Sequence, residues 1–156
     1  VDPAQAVALA WMTVWIVALS VVDLRNRHLP DPMVATLLAG LVVLDAAAAV
    51  SGGRPGSLLW ACVGALMYGG LLFTVRLLAP SGLGGGDVKL AVPLGWQIGF
   101  AAGSGFPTAV LTALVLACLF ALVWQVPGRL RRHGWSQTLA FGPWMGAAAV
   151  LVVSIA

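Results

Sequence analysis

Apolar residues run along this chain in long blocks, separated by short polar segments. The first block, residues 3–22, carries no charge, and the polar stretch DLRNRHLPD follows at 23–31. The second, 32–50, holds one charge, Asp45, and leads into the turn-forming SGGRPGS at 51–57. The third, 58–75, ends at Arg76 and gives way to APSGLGGGD at 79–87, with Lys89 just beyond. Residues 90–128 then contain no charge at all, a length that suits two membrane-crossing helices and exceeds one. Gly103, Ser104, Gly105 and Pro107 mark the expected break inside that block. The basic stretch GRLRRHGWSQ covers 128–137, and a last apolar block runs from 138 to 156. The blocks are continuous and rich in Leu and Ala, with no period of two, so barrel strands are not expected. The pattern predicts an all-α polytopic membrane protein with six transmembrane helices, forming a single membrane-embedded domain over residues 1–156.

Composition agrees with the pattern. The chain is 61% hydrophobic and 8% charged, where a soluble domain carries roughly a quarter charged residues. So few charges cannot cover a water-facing surface, and so much apolar area excludes disorder. The lipid bilayer is the expected surrounding. The sequence has no Glu, so any carboxylate chemistry rests on Asp2, Asp23, Asp31, Asp45 and Asp87. Cys62 and Cys118 lie singly in apolar runs, and His28 and His133 sit among arginines. No metal site, disulfide or organic cofactor is implied.

The net charge of +3 would suit a nucleic-acid partner, but its distribution points to the membrane instead. With six spans, the loops after spans 1, 3 and 5 share a face. They and the adjoining helix ends hold Arg25, Arg27, Arg76, Lys89, Arg129, Arg131 and Arg132. The opposite face holds Arg54 alone. This asymmetry places the first face in the cytoplasm and both termini outside. The tryptophans fall mostly near span ends, where they are expected to act as interfacial anchors. Span 1 lacks a basic flank and is too long for a cleaved signal peptide.

Ionisable groups at the edge of a span are candidates for function. Asp23 ends span 1 and Asp87 begins span 4. An even number of spans lies between them, so both belong to the cytoplasmic face and can meet in space. Two adjacent carboxylates do not both ionise easily. They share a proton, and the pair then offers a base for water and an acid for a carbonyl oxygen. The bland alternative for each is a helix cap or an interfacial charge. Gly82, Gly84, Gly85 and Gly86 precede Asp87 and would let the backbone take unusual angles and approach another chain closely. A phosphate-binding loop fits poorly, because Asp87 stands where such a loop needs Lys then Ser or Thr. Asp31, followed by Pro32, reads as a cap for the second helix, with a part in the site as the alternative. Asp45 lies deep in the second span, toward the outer face, to pair with Arg54 or face a polar crevice.

The run Gly84, Gly85, Gly86, Asp87, Val88, Lys89, Leu90 resembles the GxGD motif of type IV prepilin leader peptidases. The stretch from Asp23 through Arg25, Asn26, Arg27, His28, Leu29 and Pro30 to Asp31 resembles that family's first motif. Phe141, Gly142 and Pro143 resemble a third recurring piece. The resemblance covers essentially the whole chain. It implies an aspartic endopeptidase that removes the short basic leader of prepilins or pseudopilins at the cytoplasmic membrane face. Asp23 and Asp87 match the catalytic pair. Gly84, Gly85, Gly86, Lys89 and Asp31 match supporting or substrate-binding positions. Lys89 would bias the pair, touch substrate or serve only as a topological anchor. Many family members also methylate the new N-terminus, through a domain with paired cysteines that nothing here matches. The resemblance is therefore to the short, peptidase-only kind, with no methyltransferase activity expected.

Two other readings are weighed. A presenilin-like protease also uses GxGD, but its first aspartate usually follows Tyr, and its Pro-Ala-Leu motif is missing here. A small transporter or membrane scaffold would use Asp23, Asp45 and Asp87 as ion stations, although no two-fold internal repeat is visible.

Overall fold

The computed structural model describes residues 3–26, 30–79, 83–131 and 141–156. Among them stand six α-helices and no strand: α1 (Pro3–Asn26), α2 (Asp31–Ser51), α3 (Gly56–Leu78), α4 (Gly85–Ala102), α5 (Phe106–Arg131) and α6 (Gly142–Ile155). Asp2, Arg27, His28, Leu29, Gly82, Arg132, His133 and Trp135 lie outside the described residues.

Each helix turns a stripe of small or aliphatic residues inward and leaves larger apolar side chains outside. α1 buries Ala8, Met12, Ile16, Leu19 and then Asp23, at steps of three or four. Val14, Val17 and Val21, on its other faces, are exposed. α2 buries Val34, Leu37, Leu41, Asp45, Ala48 and Ala49 in the same rhythm. Such an outward-apolar surface suits lipid rather than water. Four stretches are long and apolar enough to cross a membrane: Gln5–Asp23, Asp31–Ser51, Gly56–Leu78 and Gly85–Val123. The last takes in both α4 and α5. α6 is apolar but shorter, at 14 residues. The protein is a helical, multi-pass membrane protein.

α4 is the axis of the bundle. It packs against α2, α3, α5 and α6, and most of its residues are buried. Its tightest neighbour is α3. A Cβ at Gly64 would strike the Gly95 carbonyl oxygen, one at Gly95 would strike the Gly64 carbonyl, and one at Gly99 the Trp60 carbonyl. The two backbones therefore touch along an antiparallel seam that only glycine permits. α1 lies antiparallel to α2, with the Trp11 indole donating to the Leu37 carbonyl at 3.3 Å, and antiparallel to α6, with Ile16 against Gly146.

The break within 90–128 falls where glycine and proline place it. Gly103 takes a positive φ of 54°, a 3-10 turn spans Gly103–Gly105, and Pro107 sits in the first turn of α5. The other end differs from expectation. α4 begins at Gly85, so Gly85 and Gly86 belong to its first turn rather than to a loop. Gly84 is extended at φ −67°, and the positive-φ glycines among the described residues are Gly53 and Gly103. Among the described glycines before Asp87, none has a positive φ, and Gly85 allows a close approach, by Arg76.

Candidate active site

The helix directions gather the C-terminal ends of α1 and α3 and the N-terminal ends of α2, α4 and α6 at one end of the bundle. Asp23 arrives there because it extends the inward stripe of α1 one step past Leu19. Asp87 occupies the third position of α4 and reaches back to accept the Gly84 backbone N–H at 3.2 Å. This is the carboxylate half of a capping box, and it fixes the side chain against its own helix start. Both aspartates are buried, at 8% and 5% exposure.

Gly142, first residue of α6, stands between them. The place its Cβ would take lies 3.3 Å from Asp23 Oδ2 and 3.5 Å from Asp87 Oδ1. Its backbone N–H also lends electrostatic support to the Asp87 carboxylate. Asp23 Oδ2 is buried with no hydrogen-bond partner. A narrow crevice runs beside it, lined by Ile16, Leu19, Ser20, Asp23, Leu90, Gly142 and Pro143. Two carboxylates therefore face the place left by the missing Gly142 side chain, one held by a backbone donor and the other with an oxygen to spare.

Around this pair the supporting residues divide. Lys89 turns away from Asp87 and forms an ion pair with Asp31, joining the start of α2 to the first turn of α4. Asp31 is the first residue of α2, behind Pro30, and no side-chain cap bond closes that helix start. Asp31 thus stands in the first turn of α2, as expected for an acid at a helix start, and also meets Lys89 across the helix pair. Gly84 lends its N–H to Asp87. Gly85 gives room to Arg76, whose guanidinium lies 3.3–3.4 Å from the missing Cβ.

Three residues carry more than their sequence positions suggested. Arg76, read only as a topological charge, donates from Nη1 to the Leu83 carbonyl at 2.9 Å and interacts electrostatically with Asp87. It lies four residues beyond buried Leu72 on α3, a spacing that could have revealed it. Trp96, taken for an interfacial anchor, sits midway along α4 and donates to Asp45 Oδ2 at 2.9 Å. Asp45 is fully buried with Gln97 beside it, and it does not meet the dyad. Among the described residues no cluster of His, Cys, Asp or Glu is suited to a metal ion.

A helical membrane protein whose paired carboxylates meet at one end of the bundle is the class that fold and site define. Comparison with known proteins narrows it. The model of the type IV leader peptidase family matches residues 10–126, and the chain belongs to that family. A prepilin leader peptidase/N-methyltransferase of Dickeya chrysanthemi is 35% identical over 144 residues, 86% of this chain and 46% of that protein. Proteins of the same name from Burkholderia pseudomallei (strain K96243) and Escherichia coli (strain K12) are 34% and 31% identical. They align with 87% and 88% of this chain, and with 43% and 58% of their own lengths. The chain thus spans about half the length of these relatives. No solved structure matches it.

Proposed function

We propose that this protein is a membrane aspartic endopeptidase that removes the basic leader from type IV prepilins or pseudopilins. The observation that carries the reading is the convergence of Asp23 and Asp87 on the gap at Gly142, within 3.5 Å of one point. In the proposed mechanism an ionised carboxylate takes a proton from water as the water oxygen attacks the scissile carbonyl carbon. The protonated partner donates to the carbonyl oxygen. The tetrahedral species then collapses, the C–N bond breaks, and the leaving amine takes a proton from the pair.

The topology belongs to the same proposal: six spans, the aspartate end in the cytoplasm, and both termini outside. Arg25, Arg76 and Lys89 all lie at the aspartate end and Arg54 at the other, which supports that orientation. Residues 1–156 act as a single membrane-embedded unit with the prepilin as partner. Methyl transfer, which the relatives' names include, is no part of the proposal. The transporter reading needs Asp45 as an ion station. That residue is enclosed and engaged by Trp96, which favours the peptidase.

The test is co-expression with a tagged prepilin, following loss of the leader by mass. Asp23→Asn and Asp87→Asn should each abolish cleavage while still accumulating in the membrane, and Asp45→Asn should retain it. Cleavage persisting in both dyad variants would remove these aspartates from the chemistry.

A further inference from the structure

Two cations flank the Gly84–Asp87 segment, Arg76 and Lys89. Lys89 is two residues from Asp87 on the same helix, and side chains at that spacing do not face each other. It is also committed to Asp31. Arg76 comes from the end of α3, on the inward stripe that holds Tyr68 and Leu72. It is half-buried, and three observations converge on it. Its Nη1 donates to the Leu83 carbonyl, which fixes the chain just before Gly84. Its guanidinium lies 3.3–3.4 Å from the place a Gly85 Cβ would take, close enough that a Cβ would make it give by a few tenths of an ångström. Its charge reaches the Asp87 carboxylate.

The structure assigns to Arg76 the role of positioning residue for the dyad. It clamps the segment ahead of α4 so that the Gly84 N–H meets Asp87 and the carboxylate faces Gly142. Gly85 is the matching half of the clamp, since its missing side chain leaves the guanidinium its room. Arg is required rather than Lys because a planar fork can hold a carbonyl while lying over a backbone. This inference deepens the proposed peptidase function and rests on it for its catalytic consequence, but the clamp itself can be read without activity.

The experiment therefore has two readouts. Leu83→Cys is placed in a Cys62→Ala, Cys118→Ala chain, and its alkylation by a water-soluble maleimide is timed in intact membranes. Cleavage of a prepilin is measured in parallel without the added cysteine. In Arg76→Gln the labelling should quicken several-fold, and kcat should fall about tenfold or more with KM little changed, as expected when a reacting group is misplaced by a fraction of an ångström. Arg76→Lys should recover only part of either signal. Gly85→Ala should slow cleavage in the wild-type chain and add nothing to Arg76→Gln, because both act through one contact. Unchanged labelling and kcat in Arg76→Gln, or additive effects of Arg76→Gln and Gly85→Ala, would overturn the assignment. If the wild-type chain cleaves no prepilin, the proposed function fails, and the labelling rates alone decide for or against the clamp.

Discussion

The bare Cα of Gly142, in the first turn of α6, faces the carboxylate of Asp87, in the first turn of α4, with the place of its missing Cβ 3.5 Å from Oδ1. A residue near the end of the chain thus leaves, by its missing side chain, the gap that both aspartates face. Gly142→Ala would set a Cβ 3.3 Å from Asp23 Oδ2, a contact that needs a shift of a few tenths of an ångström. Within a helix the same change is intrinsically favourable by about 0.5–1 kcal/mol. Cleavage and stability should therefore part company. Gly142→Ala is expected to accumulate normally and to lose about tenfold in kcat, and Gly142→Val to lose about a hundredfold or more. Quantified leader removal beside membrane yield checks this, and full activity in Gly142→Val would show that the gap is not where substrate and water react.

The seam between α3 and α4 makes a separate prediction about stability. Gly95 and Gly99 meet the carbonyls of Gly64 and Trp60, which are backbone and cannot swing aside. Gly95→Ala or Gly99→Ala must part the two helices, and overpacking of this kind costs about 1–3 kcal/mol. Both variants should unfold at lower denaturant than wild type in mixed micelles. Gly70→Ala is the control, since nothing lies near its Cβ position. Equal loss in all three, or no loss at Gly95 and Gly99, would show that the seam is not what these substitutions strain.

How much of this was legible in the sequence depends on the kind of contact. The helices and the break at Gly103–Gly105 were readable because lipid forces long apolar blocks and glycine and proline interrupt them. The meeting of Asp23 and Asp87 followed from parity alone. Contacts between distant helices were not readable. Nothing near Trp96 in sequence announces that its indole will meet a carboxylate 51 residues earlier. Likewise the family resemblance left Lys89 to bias the pair, touch substrate or serve only as an anchor. Helical geometry turns it toward Asp31 instead, and it is Arg76 that comes against the segment. The glycines before Asp87 were read as a source of unusual backbone angles and of close approach. Among the described ones the angles are ordinary, and it is the close approach that Gly85 provides, to Arg76.

Asp45 and Trp96 form a polar tie between α2 and α4 deep in the bundle, and the cost of breaking it should depend on which partner is lost. Asp45→Leu leaves the buried indole N–H without an acceptor, and Trp96→Phe leaves the carboxylate without its indole donor. An orphaned buried polar group costs about 1–3 kcal/mol, more when it is charged. Trp96→Phe should therefore be the more damaging single change. The pair Asp45→Leu with Trp96→Phe should be less damaging than the two losses added together, because neither partner is then orphaned. Asp45→Asn keeps an acceptor for the indole and should stay near wild type. Unfolding of the four variants in mixed micelles gives the coupling, and strict additivity would mean that the tie contributes nothing.

The last prediction concerns Lys89 and Asp31, whose side chains are 50% and 67% exposed. An exposed ion pair is worth at most about 1 kcal/mol, and salt weakens it. Losing it should hardly change stability. Its position matters more than its strength, because it joins the start of α2 to the turn of α4 that carries Asp87. Lys89→Gln should therefore lower the cleavage rate modestly, by about two- to fivefold on the energy scale of such a pair, with little change in unfolding. Raising ionic strength should narrow the difference between that variant and wild type, because the tie in the wild type is screened. The reversed pair, Asp31→Lys with Lys89→Asp, should recover more activity than either single reversal. If instead Lys89 serves only as a positive charge at the membrane face, the reversed pair should recover activity no better than Asp31→Lys alone. Cleavage rates across a salt series for these variants separate the two roles.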